Sequence, residues 1–163
     1  TWSDYLDWAS GEREPPEFMT AARDWCRANS PSAAGAAVEL WGDVQLTNAV
    51  FTDSGGVAAL LDWEMTGQGP AELDLGWFIA LHEMTIEQNG ESLAGLPTRA
   101  EILDCYEIAA DRTVADLRWF EAFALLRSGS IMVRMARILA AQGIDDAWLV
   151  TSNPTATALD RVI

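Results

Sequence analysis

The sequence predicts an α+β chain, mostly helical, with one small β-hairpin set among the helices. Three observations point there. The β-prone runs crowd between Ala36 and Leu61, and an Asp-Ser-Gly-Gly tetrapeptide at 53–56 separates two of them. Apolar residues recur at helical spacing before that stretch and through most of the chain beyond it. The chain has 163 residues, 50% of them hydrophobic, so by length it is one domain and can bury a core without disulfide or metal staples.

Taken in order, Trp2, Tyr5, Leu6 and Trp8 mark a short amphipathic piece over Thr1–Gly11, ending in the charged, Pro-containing stretch Glu12–Pro16. Pro16 stands where a helix accepts proline. Phe18, Met19, Ala22, Trp25 and Cys26 then recur at helical spacing until Asn29 and Pro31 stop the run. Ala36–Trp41, Asn48–Thr52 and Val57–Leu61 read as three strands, the last two forming the hairpin. Gly67, Gly69 and Pro70 read as a loop, and Ala71 to about Met84 as a helix with Leu73, Trp77, Ala80, Leu81 and Met84 on one side. Thr98 with Glu101 three residues on has capping-box spacing and predicts a further helix. Asp116 is placed to cap a longer one reaching Gln142, with Gly143 ending it. Inside that helix Ser128-Gly129-Ser130 predicts either a close approach by another element or a bend. Pro154 opens a last short helical stretch.

Composition excludes several function classes. A formal charge of −15 would repel nucleic-acid phosphates and anionic membranes, so neither partner is expected. No apolar run reaches the roughly 18 residues of a membrane span, and no basic stretch leads into an apolar one at the start; cytoplasm is the expected location. Cys26 and Cys105 form no ligand cluster and read as two buried thiols. All ten basic residues are Arg, so a phosphate site that relies on a lysine cannot be complete within these residues.

The chemistry concentrates in Trp41-Gly42-Asp43-Val44-Gln45-Leu46-Thr47-Asn48 and, after the hairpin, Asp62-Trp63-Glu64. An acid, an amide and a second acid lie at the ends of short strands, and the hairpin can fold them together. Phosphoryl transfer asks for that set: a carboxylate to orient or receive the proton of an attacking hydroxyl, and oxygen ligands for magnesium. Asp43 can do the first, Asn48 and Asp62 the second. The competing reading is that Asp and Asn merely cap turns around a hairpin.

The order Asp, four residues, Asn, then a downstream Asp beyond a hairpin resembles the catalytic and metal loops of protein-kinase-like enzymes. Gly42-Asp43 with the later Asp62-Trp63-Glu64 is similar to the aminoglycoside phosphotransferase and choline kinase branch. That branch usually has His-Gly-Asp; Trp41 in the His place is similar to a Trp-Gly-Asp subgroup of bacterial and acyl-CoA-dehydrogenase-associated phosphotransferases. The resemblance, carried by Val38–Trp77, implies the C-terminal lobe of a protein-kinase-like fold, in which the hairpin bears the catalytic and metal loops. It implies Asp43 as the catalytic base, Asn48 and Asp62 as Mg2+ ligands, and ATP as co-substrate. Gly42 becomes the residue that lets the loop turn, and Asp74, in Pro70-Ala71-Glu72-Leu73-Asp74-Leu75-Gly76, the brace of the catalytic loop. Trp41 supports the same loop. Glu64 either assists the metal or faces solvent or an Arg, and Gln45 either touches substrate or is exposed loop polarity. His82 reads as a packed or surface residue.

Enzymes of this branch also need a glycine-rich loop and a strand-borne lysine. Neither is found here, and about 40 residues precede Asp43. Residues 1–163 are therefore expected to be a single C-terminal lobe without its N-terminal nucleotide-binding lobe, inactive alone. Either an upstream lobe exists in the native product, as the start at Thr1 suggests, or the gene encodes only this lobe. The expected function is ATP- and Mg-dependent phosphorylation of a small-molecule hydroxyl; the alternative is a kinase-derived module that binds a ligand or a protein without catalysis. Loss of a lobe would uncover apolar surface and favour self-association. The acidic surplus reads as solvated surface or as a negative cleft for a cationic acceptor. Trp41, Trp63 and Trp77 are expected around the loop base, and Trp119 and Trp148 as core filling or as an acceptor-pocket lining.

Overall fold

Two helices lead into the sheet region. Thr1 and Asp4 form a reciprocal capping box that starts α1 (Trp2–Ser10). Pro16 precedes α2 (Glu17–Ala28), whose Met19, Ala22 and Cys26 turn inward. The computed structural model describes residues 1–32, 36–90, 95–144, 148–151 and 153–163.

The strands are two nested antiparallel pairs. The inner hairpin joins β2 (Ala49–Phe51) to β3 (Val57–Leu60), in register Ala49 with Leu60 and Val50 with Ala59. Its turn closes through bonds from Thr52 N to Gly56 O (2.8 Å) and Gly55 N to Thr52 O (2.9 Å). The outer pair is β1 (Val38–Leu40) with β4 (Gly67–Gly69), matching Val38 to Gly69 and Leu40 to Gly67. The sequence expectation of a loop over 67–69 is therefore corrected. A backbone of Gly-Gln-Gly still offers its N–H and C=O groups to β1, and Gly69 has no Cβ to collide with Leu73 and Leu40, which would lie 2.9 and 3.2 Å away. The strand expected from Asn48 begins one residue later, because Leu46–Asn48 coil into a 3-10 turn.

Helices build the remainder. α3 (Glu72–Asn89) runs past the predicted Met84 and stops at Gly90, which takes the left-handed φ of 75°. Thr98 and Glu101 cap α4 (Arg99–Ala110). α5 (Arg118–Ala141) is the central helix, packed against α1, α2, α3 and α7 (Pro154–Val162); α6 is a single turn, Trp148–Thr151. Asp116, the predicted cap, sits one residue ahead of the observed N-cap Leu117, its carboxylate accepting from Arg118 N at 2.8 Å.

Small residues let α5 take these neighbours. A Cβ on Gly129 would stand 2.5 Å from Met19 Sδ and 2.9 Å from Thr155 Oγ1, so α2 and α7 close on the helix at the Ser-Gly-Ser patch. Gly76 of α3 likewise lies against the backbone of Phe120 and Glu121. The main core gathers Leu6, Met19, Trp77, Leu125 and Leu159; a second gathers Leu75, Ile79, Ile102, Leu117 and Phe120.

One side-chain expectation fails, that of two buried thiols, and one of the two readings of Trp148 is removed. Cys26 is buried, and its thiol pKa is pushed up to about 12 by burial, but Cys105 is exposed on α4. That helix buries Ile102 and leaves its far side to water. Trp148 is half exposed rather than core filling, whereas Trp119 packs flat against Phe123 and donates its indole N–H to Cys26 O at 2.8 Å. No described helix is long and apolar enough to cross a membrane.

Candidate active site

Nesting one hairpin inside another sets two loops side by side: residues 41–48 between β1 and β2, and residues 61–66 between β3 and β4. Continuing the inner ladder, Leu61 N donates to Asn48 O at 2.8 Å, which brings Asp62 beside the end of the first loop. Thr66 Oγ1 donates to Leu40 O at 2.7 Å and closes the outer pair.

The start of the first loop is held from below by α3. Asp74, in its first turn, accepts from Trp41 N through Oδ2 (2.8 Å) and from Gly42 N through Oδ1 (2.9 Å). One carboxylate thus satisfies two consecutive backbone donors, an arrangement that fixes the loop's direction. Gly42 has φ 88° and is buried; a Cβ there would lie 2.1 Å from Met65 O. Glycine is required on both counts.

Trp41 ties the two loops together. Its indole N–H reaches Leu61 O (2.8 Å) and Asp62 O (3.2 Å), and its ring packs on Trp63 with centroids 5.8 Å apart. Trp63 in turn donates to Leu60 O at 2.9 Å. Asp62 holds a left-handed φ of 59°, uncommon for a non-glycine residue and typical of positions that surrounding structure over-determines.

Asp43 is the hub. Its Oδ1 accepts from Gln45 Nε2 (2.6 Å) and Trp77 Nε1 (3.1 Å), and its Oδ2 from Asn48 Nδ2 (2.8 Å). Asn48 Nδ2 also reaches Asp43 O at 3.1 Å. The Asn48 amide nitrogen is thereby committed to Asp43, and the amide oxygen is its remaining face. Gln45 holds the Asp43 carboxylate instead of extending from the loop. Asp62 and Glu64 are exposed. Among the described residues no three His, Cys, Asp or Glu side chains gather as a metal cage. A pair of oxygen donors, one amide and one carboxylate, nevertheless suits magnesium, which keeps several waters and takes phosphate oxygens in the rest of its shell.

One participant escaped the sequence reading. Arg127, buried in α5, donates from Nη2 to Gly42 O at 2.9 Å, and its guanidinium lies 4.4 Å from the Trp77 ring and 5.1 Å from the Trp2 ring. Burial pulls its pKa below the ordinary arginine value, while Asp74 and Asp43 act in the opposite direction. The arginine therefore supplies positive charge behind the two carboxylates. A signal was present: between Trp119 and Val133 the sequence holds two charges, Glu121 and Arg127. Both are buried, Glu121 against Arg99.

A model of the phosphotransferase enzyme family matches residues 1–113, a span that contains both loops, Asp74 and Trp77. Among solved structures, the chain is similar to the crystal structure named a "putative aminoglycoside phosphotransferase" from Ralstonia eutropha JMP134, with a TM-score of 0.78 and 20% sequence identity. The match covers 99% of this chain and 54% of that one, so these residues span about half the length of the structure they resemble. At such identity the likeness establishes a shared fold.

Proposed function

Because the chain belongs to the phosphotransferase enzyme family, we propose that it carries the catalytic and metal loops of an enzyme moving the γ-phosphoryl group of ATP to a small-molecule hydroxyl. Asp43 is the base. As the acceptor oxygen forms its bond to the γ-phosphorus, the bond from that phosphorus to the β–γ bridging oxygen breaks; ADP leaves, and the hydroxyl proton passes to the Asp43 carboxylate. Gln45 and Trp77 fix Oδ1, which limits the carboxylate to one orientation. Asn48, through its amide oxygen, and Asp62 would hold Mg2+. The ion, when bound, neutralises charge on the phosphates. Arg127 and Asp74 hold the loop in place and do not touch substrate.

The observation that carries this reading is the Asn48–Asp43 bond of 2.8 Å. It couples the base to a metal ligand and turns the amide so that its oxygen is free for a cation. The absence of lysine in the sequence and the 54% coverage of the matched structure support a further part of the reading: nucleotide contacts come from a segment outside these 163 residues, and this chain alone does not turn over.

The test is ADP release by the longest polypeptide that contains this chain, measured across a panel of alcohols. Asp43→Asn is expected to lower kcat by roughly 10²–10⁴-fold with the KM for ATP little changed. A kcat equal to wild type would remove Asp43 from the chemistry.

A further inference from the structure

Beside the catalytic loop lies a groove of about 270 Å³, near the lower end of small-molecule sites, which run from roughly 300 Å³ upward. Its floor and walls are apolar: Val44 and Leu46 from the loop, Phe78 and Leu81 from α3, and Leu96 from the connection to α4. Gln45 lines the same groove and donates to Asp43 Oδ1 at 2.6 Å. One hydrogen bond thus links the groove wall to the carboxylate that receives the acceptor's proton.

The polar groups on the wall are an amide, an imidazole and two hydroxyls. His82 Nε2 lies 2.9 Å from Pro97 O; a carbonyl only accepts, so Nε2 is the protonated nitrogen. The imidazole stacks on Phe78 with centroids 5.9 Å apart, extending the flat apolar wall. Thr47 and Thr85 contribute neutral hydroxyls. None of the described lining residues is a carboxylate, although the chain has 25 acidic residues. A polycation bound here would leave its ammonium groups without counter-charges, a severe penalty against an apolar surface.

Resting on the phosphotransfer reading above, we propose that this groove holds the acceptor, and that the acceptor is an alcohol with a neutral, hydrophobic body, not a polycationic aminosugar. The apolar body packs between α3 and the loop, and its hydroxyl end meets Asp43. Selectivity comes from the missing carboxylates as much as from the apolar contacts.

Saturation-transfer NMR on the longest polypeptide that contains this chain tests the proposal, with 4-phenyl-1-butanol and kanamycin as probes. The alcohol is expected to bind more tightly than kanamycin. Thr85→Trp, at an exposed position of α3, fills the groove without disturbing the core and is expected to weaken alcohol binding at least tenfold. Leu46→Asp, in the exposed 3-10 turn, adds the missing charge and is expected to shift preference toward kanamycin. Tighter binding of kanamycin by the wild type, or a Thr85→Trp variant within twofold of wild type, overturns the proposal. The two readings fail separately. ATP turnover abolished by Asp43→Asn but supported by kanamycin alone sinks the groove assignment and keeps phosphotransfer. Groove-dependent alcohol binding with turnover indifferent to Asp43→Asn keeps the groove as a binding site and sinks phosphotransfer.

Discussion

Asp74 shows how one side chain sets the course of a loop. Its two oxygens accept from Trp41 N and Gly42 N, and a charge-assisted bond of this kind contributes about 1.5–3 kcal/mol. Asp74→Ala strands both donors and is expected to lower stability by roughly 3 kcal/mol, read as a drop in urea midpoint at unchanged slope; a change below about 0.5 kcal/mol would mean that water replaces the carboxylate without penalty. Asp43, Asn48 and Asp62 could be singled out in the sequence because they form a spaced pattern of oxygen-bearing residues, and Asp74 because the segment around it resembles that of the family. Arg127 stands out only as one of two charges in an apolar stretch and could not be assigned to the loop, since its partner is the carbonyl of Gly42, 85 residues away, and a backbone acceptor leaves no mark on composition. The role of Gln45 was equally hidden, since it acts through a contact to Asp43 that only folding creates; Trp41 was expected to support the loop, but its partners Leu61 O and Asp62 O were not named by the sequence.

Among the elements, the helices were the most legible. Capping residues and apolar spacing foretold α2, α4, α5 and α7, because a helix is specified by neighbours within a few positions. Strand β4 was not legible, since Gly-Gln-Gly has no side-chain pattern and pairs solely through its backbone with β1. The first turn of α3 matters most for the site, as it carries Asp74 and also Glu72, which pairs with Arg112 at 2.7 Å. Burial acts to raise the Glu72 pKa, but the hydrogen bond and charge of Arg112 outweigh it and leave the carboxyl below its ordinary 4.5. A depressed carboxyl contributes stability above the unfolded-state pKa and loses it as pH falls through the folded-state value, because the unfolded chain binds more protons. The stability difference between wild type and Glu72→Gln, from urea unfolding, is therefore expected to shrink as pH falls from about 6 to about 3. A constant difference over that range would show that the pair adds nothing that titrates.

At the scale of the whole molecule, the helical layer behind α5 and the nested hairpins divide the work. The helices supply rigidity and buried charge, and the hairpins present the two loops. The outward residues of the inner hairpin are apolar and exposed, among them Phe51, Val57 and Leu60; the expectation of self-association rests on that surface. Among the described residues, none that lines the groove beside Asp43 is a carboxylate. The claim on which the function depends is that the two loops share one divalent ion. Electron paramagnetic resonance of Mn2+, standing in for Mg2+ and titrated with ATP into the longest polypeptide containing this chain, measures it directly. Asn48→Ala and Asp62→Asn are each expected to weaken Mn2+ binding by about tenfold or more, while Asp53→Asn, in the exposed hairpin turn, leaves it unchanged. Wild-type affinity in both loop variants, or an equal loss in Asp53→Asn, would contradict a shared metal site.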